Sequence, residues 1–283
     1  MNNILVIPNR IKDIDCSVSN EVIKRLVDFG CNVYVENKYN LGIATNAKLC
    51  DVIPECVELI IVIGGDGSVI DASVIAVDRD IPILGINLGK LGYLAEIEIS
   101  ELDKLKGIID GKARVEEKML LELEINNGGK REIYRRFAVN DVIISHGSSI
   151  GLAEISLSES NGASLKYRAD GLILSTPVGS TAYSFSAGGP VVSHEIDSIL
   201  ATPICPHSLF NRSVIFNPSE VITVTNIGDA ELAVNIDGRF VSEFVSGDSC
   251  VIRSSQKRLK MLTFSANNMF ATLFEKMKRI ENI

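Results

Sequence analysis

The sequence contains no tryptophan, only three histidines, and no two of its six cysteines in C-x-x-C spacing. It therefore lacks the ligand pattern of a structural zinc site. We expect the cysteines to be free thiols, because no secretion signal accompanies them and disulfides are typical of exported proteins. A cysteine nucleophile has no support in this pattern.

Long hydrophobic runs and an excess of positive charge are also missing. No run approaches the roughly 18 apolar residues of a membrane span, and the N-terminus lacks a basic segment followed by a long apolar stretch. The formal net charge of −8 argues against a nucleic-acid surface. A local basic patch is interpreted as a solvated hairpin, and its members are Lys130, Arg131, Arg135 and Arg136. We expect a cytoplasmic protein that binds neither nucleic acid nor membrane.

The most informative stretch begins with the apolar run Leu59 to Ile63, which is typical of a strand buried on both faces. The turn Gly64-Gly65-Asp66-Gly67 ends this strand, and Ser68 is predicted to cap the helix that follows. Glycines let an anion approach the backbone N–H groups, and a helix N-terminus adds partial positive charge. The stretch therefore predicts phosphate binding.

Asp66 distinguishes this turn from a simple phosphate site. A carboxylate beside phosphates would repel them unless it held a metal ion or accepted a proton, and both roles suggest catalysis. The alternative is an Asx-type turn in which Asp66 bonds only nearby backbone.

Strand and helix signals alternate along the first part of the chain. Strands are predicted at Asn3–Pro8, Asn32–Glu36 and Ile81–Asn87, with a helix over Asn20–Phe29. The pattern predicts a doubly wound, Rossmann-like α/β domain, whose ligands lie beyond the carboxyl ends of the strands. The glycine-containing loop Asn87–Leu94 leaves a strand on the same side as Gly64 to Ser68 and is expected to form a second wall of the site.

After residue 115 the periodicity changes to two. Leu121, Leu123 and Ile125 alternate with glutamates, and short strands follow between turn signals such as Asp237-Gly238. These features predict a second, mostly-β sandwich domain. Apolar residues at helical spacing over residues 270–280 predict a C-terminal helix.

Two segments of the second domain carry polar side chains suited to a nucleotide. The amide of Asn140 suits an adenine edge and the carboxylate of Asp141 suits ribose hydroxyls, although a strand-to-turn pair without function is the alternative. Gly179-Ser180-Thr181 predicts a tight loop before a helix, with Tyr183 as a flat wall for a base. The alternative is loop geometry for the glycine and a core position for Tyr183.

Together, Gly64 to Ser68, Asn140-Asp141 and the run from Asp170 to Pro190 resemble the NAD kinase family. The family motifs are Gly-Gly-Asp-Gly-Thr, Asn-Glu, and Gly-Ser-Thr-Ala-Tyr followed by Gly-Gly-Pro. This chain reads GGDGS, ND, and GSTAY followed by GGP. The resemblance implies an α/β domain over residues 1–115, joined by the returning helix within 258–283, and a β-rich NAD-binding domain over 116–257.

The resemblance also implies residue roles. Asp66 matches the catalytic base near the ribose 2′-hydroxyl, and Asn140 matches the residue that contacts the nucleoside. Asp141 replaces the usual glutamate and is shorter by one methylene. The remaining residues implied for NAD are Gly67, Arg168, Asp170, Thr181, Ala182, Tyr183 and Ser186. Those implied for the ATP phosphates are Gly64, Gly65, Gly67 and Ser68.

The activity that the resemblance implies is transfer of the γ-phosphoryl of ATP to the 2′-hydroxyl of the adenosine ribose of NAD, giving NADP. A divalent metal ion, Mg²⁺ or Mn²⁺, would be bridged through the nucleotide phosphates, without a metal site built by the protein. A homodimer or homotetramer is implied as well. The choice between ATP and polyphosphate, and between NAD and NADH, is left open.

Two other functions remain as alternatives. Diacylglycerol and sphingosine kinases share the glycine-aspartate turn, but they lack the GSTAY run, and this chain shows no basic amphipathic helix for a membrane surface. A non-catalytic dinucleotide sensor would keep the pocket but would not need Asp66. A Rossmann dehydrogenase is disfavoured because no G-x-G-x-x-G follows the first strand.

Overall fold

The computed structural model describes residues 1–39, 42–43, 46–89, 92–127, 130–147, 151–264, 272–274 and 278, without side chains at 127 and 130–136. The chain divides into two compact units. We call Met1–Glu117 with Leu259–Ile283 the α/β unit, and Lys118–Arg258 the β unit.

The elements follow each other in chain order. The α/β unit contains β1 Asn3–Pro8, α1 Ser17–Asp28, β2 Asn32–Glu36, a 3₁₀ helix at Asn37–Tyr39, β3 Lys48–Cys50, β4 Leu59–Gly64, α2 Asp66–Arg79, β5 Ile83–Asn87, β6 Ala95–Glu98, a 3₁₀ helix at Ile99–Leu105, α3 Lys106–Ile109 and β7 Arg114–Lys118. The β unit contains β8 Leu121–Asn127, β9 Lys130–Ala138, β10 Asp141–His146, β11 Ala153–Glu159, β12 Ser164–Ala169, β13 Gly171–Ser175, a 3₁₀ helix at Gly179–Thr181, α4 Tyr183–Ser186, β14 Ile199–Ile204, β15 Val214–Phe216, β16 Val221–Asn226, β17 Leu232–Ile236, β18 Arg239–Phe244 and β19 Ser249–Ser254. The chain then returns to the α/β unit with β20 Leu259–Thr263.

The α/β unit is organised on one sheet with strand order β3-β2-β1-β4-β5-β20-β7, and β6 pairs with β5 at the side. Strands β2, β1, β4 and β5 run parallel to their neighbours. The strand order reverses between β1 and β4. In open α/β sheets, ligands bind at the carboxyl ends of the strands beside such a reversal.

Burial on both faces explains the sequence of the central strands. All six residues of β4 and all five of β5 are buried, as is typical of parallel strands covered on both sides. Helix α1 contributes Val22, Ile23 and Leu26 to the same core. The predicted doubly wound α/β fold is confirmed.

The β unit consists of two six-stranded sheets, β15-β14-β13-β10-β17-β18 and β12-β11-β16-β19-β8-β9. Their inner faces share one hydrophobic core, in which Leu123 and Ile252 of one sheet join Ile144 and Leu174 of the other. The predicted β-sandwich is confirmed.

The C-terminal helix predicted over residues 270–280 is described only in part. Residues 272–274 and 278 are helical, and the rest of that segment lies outside the described residues. Within the part of the chain that the structure describes, no helix has the length and apolar character needed to cross a membrane.

Candidate active site

The glycine turn joins the end of β4 to the start of α2. The Gly65 carbonyl accepts hydrogen bonds from the N–H groups of Ser68 at 2.9 Å and Val69 at 3.2 Å. Gly65 is therefore the N-cap residue, and the prediction that Ser68 caps this helix is wrong. Ser68 lies in the first turn, where its hydroxyl accepts a hydrogen bond from Asn9 Nδ2 at 2.8 Å.

Asp66 is the first residue of α2, and both of its carboxylate oxygens accept backbone hydrogen bonds. The donors are the N–H groups of Tyr93 at 2.9 Å and Leu94 at 3.0 Å. These bonds reach 27 and 28 residues along the chain, so the alternative of a purely local Asx turn is wrong. Gly92 lies against this carboxylate, since a Cβ there would be 2.8 Å from Asp66 Cγ.

The loop after β5 lies against the same turn. Leu88 N–H donates to the Gly64 carbonyl at 2.9 Å, and the Asn87 side chain bonds both the N–H and the carbonyl of Gly89 at 3.2 and 3.1 Å. The described residues of this loop therefore lie beside the glycine turn, and their role as a second wall of the site stays a prediction. Residues 90 and 91 lie outside the description.

A lysine that sequence reasoning missed also lies at this turn. Asn9 follows β1, and its side-chain oxygen accepts hydrogen bonds from the N–H groups of Ile11 at 3.0 Å and Lys12 at 3.1 Å. Lys12 Nζ lies 3.1 Å from the position that a Cβ on Gly65 would occupy, and 3.9 Å from the one on Gly89. A cation therefore lies between the two glycine-containing loops. The available signal was a lysine just beyond the carboxyl end of the strand next to β4.

In the β unit, Asp237 fixes the Asn140-Asp141 turn. Its carboxylate accepts three backbone hydrogen bonds, from Val139 at 2.9 Å, Asn140 at 2.8 Å and Asp141 at 3.1 Å. Asp237 has a φ of +49°, a left-handed conformation that Asp tolerates better than most residues. The sequence predicted only a hairpin turn here, because the pairing of β10 with β17 that brings Asp237 to Asn140 is non-local.

A buried carboxyl group, that of Asp141, thus lies beside the half-buried carboxyl group of Asp237. Burial, and secondarily the charge of Asp237, raises the pKa of Asp141 to about 7. Burial also raises the pKa of Asp237, against the opposing effect of its three N–H bonds. Because those bonds favour the charged form, Asp237 carries the negative charge and Asp141 retains the proton longer.

The loop that contains Gly179, Ser180 and Thr181 packs on the Asn140-Asp141 turn. Thr176 donates its N–H to the Asn140 carbonyl at 2.9 Å and its hydroxyl to the Val139 carbonyl at 2.6 Å. A Cβ on Gly179 would lie 2.5 Å from the Asn140 carbonyl carbon. The structure therefore brings two of the three sequence motifs together, and glycine is required at their contact.

The residues after this loop differ in exposure. Thr181 is half-buried and bonds the Val178 carbonyl at 3.1 Å, Ala182 is half-buried, and Ser186 is exposed. Tyr183 is 43% exposed, so the alternative of a core aromatic is wrong. Its ring is available to a ligand.

Arg168 and Asp170 are held by other elements of the β unit. Arg168 Nε lies 3.3 Å from Glu154 Oε1, and its backbone N–H donates to Ser208 Oγ at 2.8 Å. The backbone N–H of Asp170 donates to the Ile204 carbonyl at 2.9 Å, and the residue is half-buried.

The described residues contain no group of three or more His, Cys, Asp or Glu side chains that could hold a metal ion.

An α/β unit with a glycine turn and a fixed carboxylate at its strand-order reversal, followed by a β-sandwich with a second polar turn, defines a nucleotide-binding protein of two units. Family comparisons give its identity. A model described as the ATP-NAD kinase N-terminal domain matches residues 4–113, and one described as the ATP-NAD kinase C-terminal domain matches residues 139–264.

Relatives match over nearly the whole chain. It is 35% identical to the NAD kinase of Natranaerobius thermophilus, over 98% of both chains, and 34% identical to that of Caldanaerobacter subterraneus, over 98% of this chain and 99% of the other. The chain therefore belongs to the NAD kinase family, and it is a phosphotransferase enzyme.

Two solved structures share the fold at 24% identity. Yeast NADH kinase complexed with NADH matches with a TM-score of 0.84, over 95% of this chain and 84% of that one. An NAD kinase from Archaeoglobus fulgidus in complex with ATP matches with a TM-score of 0.70, over 98% of both chains.

Proposed function

We propose that this chain transfers the γ-phosphoryl of ATP to the 2′-hydroxyl of the adenosine ribose of NAD, giving NADP. The observation that carries the proposal is the Asp66 carboxylate, held by two backbone N–H groups at the start of α2 within the glycine turn. Named NAD kinases that match nearly the whole chain, and solved relatives that bind NADH and ATP, support the same conclusion.

The glycine turn suits the phosphates of the donor. Phosphoryl transfer requires alignment and charge neutralisation more than covalent chemistry from the protein. The N-terminus of α2 carries partial positive charge, and Gly67 leaves the backbone there open to phosphates, since no atom that the structure describes beyond its own helical turn lies within 4 Å of its Cβ position. Gly65 is proposed to contact the phosphates beside Lys12, whereas glycine at 64 makes room for the Ser68 side chain, which lies against the Cβ position of Gly64. The ammonium of Lys12 beside Gly65 adds a full positive charge.

Asp66 acts as the general base in this proposal. The ribose 2′-oxygen attacks the γ-phosphorus, the bond from that phosphorus to the β-phosphate oxygen breaks, ADP leaves, and the hydroxyl proton goes to Asp66. The hydrogen bonds from Tyr93 and Leu94 fix the direction of the carboxylate, so the proton acceptor is oriented before NAD binds.

NAD is proposed to bind through the polar turns of the β unit. Asn140 is held through its backbone by Asp237 and Thr176, which leaves its side-chain amide to read the adenine edge. Asp141 is proposed to bond the ribose hydroxyls, and the exposed ring of Tyr183 is proposed to stack on a base. The other residues of the β unit proposed to contact NAD are Arg168, Asp170, Thr181, Ala182 and Ser186. Gly67 of the glycine turn is proposed to contact NAD as well.

A divalent ion, Mg²⁺ or Mn²⁺, is proposed to bind mainly through the donor phosphates, as Mg²⁺ does in many kinases. It would neutralise phosphate charge. Use of polyphosphate, the homodimeric or homotetrameric state and the cytoplasmic location stay predictions.

The test is formation of NADP from NAD, ATP and Mg²⁺, detected with an NADP-specific dehydrogenase. We expect Asp66→Asn to lower kcat by about 10²- to 10⁴-fold, because a general base contributes that much, with little change in NAD binding. Asp78→Asn, an exposed aspartate of the same helix, is the matched control. Near-normal turnover of Asp66→Asn would refute the role of the base.

The same assay separates the alternatives. A wild-type protein that binds NAD but forms no NADP would favour the sensor. A wild-type protein that binds no NAD would favour the lipid kinase, and lipid acceptors would then be tested.

A further inference from the structure

A cavity of about 340 Å³ opens in the α/β unit beside Ser68. Its first wall is the end of β1 with the loop that follows, its second is the end of β2 with the 3₁₀ helix behind it, and its third is one face of α2. The residues on α2 are Ser68, Asp71, Ala72 and Ile75, whose spacing of three and four places them on one side of the helix.

The lining combines apolar and polar groups in a way that suits a nucleoside. Ile75 and the buried Ala72 give an apolar wall. Arg10, Glu36 and Lys38 provide polar groups. Small-molecule sites typically have this composition of apolar walls and a few placed polar groups.

The polar groups are held in position. Arg10 Nη1 donates to the Tyr39 carbonyl at 3.2 Å. Lys38 Nζ lies 2.8 Å from Glu36 Oε2 and 5.0 Å from the centre of the Tyr39 ring. An anionic and a cationic group therefore stand together at the carboxyl end of β2.

The cavity reaches the start of α2 at Ser68, which lines the cavity and follows the glycine turn directly. Strand β1 separates β2 from β4, so Glu36 lies roughly 10 Å from the end of β4. In doubly wound domains, an acidic residue near the end of the second strand bonds ribose hydroxyls while phosphates lie at a glycine turn. Both parts are present here, but the glycine turn follows β4 instead of β1, so β1 lies between them.

We propose that this cavity binds the nucleoside half of the phosphoryl donor, a purine nucleoside triphosphate, with its ribose hydroxyls at Glu36 and its base against Ala72 and Ile75. The proposal rests on the proposed function, because it takes the glycine turn as the site of the donor phosphates. The acceptor dinucleotide is assigned to the β unit, so the two adenosine groups have separate pockets.

The first test fills the cavity. Ile75→Trp should raise the Kd of ATP, measured by calorimetry without NAD, by roughly tenfold or more, because the indole occupies the space of the base. The Kd of inorganic tripolyphosphate, which has no nucleoside, should not change. Val74→Trp is the matched control, since Val74 is the preceding residue of α2, is 53% exposed and does not line the cavity.

The second test removes the negative charge of Glu36, the residue proposed to bond the ribose hydroxyls, without adding volume to the cavity. Wild type should bind ATP more tightly than 2′,3′-dideoxy-ATP by roughly tenfold, as expected for hydrogen bonds to a charged acceptor. Glu36→Gln should lose most of this preference while the Kd of tripolyphosphate stays constant.

Three results would overturn the inference. The first is an unchanged Kd of ATP in Ile75→Trp. The second is a rise in the Kd of tripolyphosphate equal to the rise in the Kd of ATP in that variant. The third is a rise in the Kd of NAD with no rise in the Kd of ATP. Because these are binding measurements, they separate the two proposals. If the expected changes in Kd are found but the protein forms no NADP, the nucleoside pocket is supported and the proposed reaction is refuted.

Discussion

The buried carboxyl of Asp141 should make the protein less stable as pH rises from acid to neutral. Asp141 is 4% exposed, and burial together with the charge of Asp237 raises its pKa to about 7. In the unfolded chain an aspartate has its ordinary pKa of about 3.9. Between these two values the folded protein keeps a proton that the unfolded chain has lost, so the free energy of unfolding falls with rising pH.

The size of the effect follows from the separation of the two pKa values. About three pH units correspond to roughly 4 kcal/mol over the whole interval, of which the part between pH 5 and pH 7 is roughly 2 kcal/mol. This contribution is fully present below about pH 4 and is lost as pH rises through about 7.

Asp141→Asn isolates the contribution, because the amide has almost the same shape and does not titrate. We expect the free energy of unfolding of wild type minus that of the variant to fall by roughly 2 kcal/mol from pH 5 to pH 7. Urea unfolding followed by circular dichroism measures it, and the absence of tryptophan makes circular dichroism preferable to indole fluorescence. Asp229→Asn, an exposed aspartate of the β unit, should show no such fall.

A difference that stays flat between pH 5 and pH 7 would refute this reasoning, since it would mean that Asp141 is already ionised in the folded protein. A difference that rises with pH would reverse the assignment and give the stabilised charge to Asp141.

Two further predictions concern the glycine-containing turns. Gly179→Ala should destabilise the protein by about 1–3 kcal/mol, because the new Cβ would press on the backbone of Asn140; thermal unfolding measures the loss, and an unchanged melting temperature would contradict the packing. Lys12→Met should raise the KM for ATP by roughly tenfold and leave the KM for NAD unchanged, as expected if the ammonium contacts donor phosphate. Lys24→Met, on the exposed face of α1, is its control, and an equal change in both variants would contradict the role of Lys12.

The strand, turn and helix around Asp66 could be predicted because their signals are local. An unbroken apolar run indicates a doubly covered strand, and glycines directly after it indicate the turn. The cap at Ser68 was wrong because the Gly65 carbonyl accepts the first helical hydrogen bonds, so α2 begins three residues earlier than a Ser68 cap would place it. Helix boundaries depend on such backbone bonds, which propensity alone does not fix.

The partners of the key carboxylates could not be predicted, because they depend on how strands pair. Tyr93 and Leu94 reach Asp66 only when β5 lies beside β4. Asp237 reaches the Asn140 turn only when β17 pairs with β10, nearly a hundred residues away. A turn signal such as Asp-Gly gives the local bend but not the segment that the side chain will meet.

Asp66 and Asp237 show that carboxylates in one chain can use the same bonding for different purposes. Each accepts backbone N–H groups from a distant segment with both oxygens and so fixes a turn at the end of a strand. Asp237 bonds the backbone of the Asn140-Asp141 turn, and its charge raises the pKa of the neighbouring Asp141. Asp66 instead begins a helix among N–H groups that attract phosphate. The hydrogen bonds alone therefore do not mark a catalytic residue. The phosphate binding proposed for the turn around Asp66 favours catalysis there, whereas Asp237 only positions the turn that it bonds.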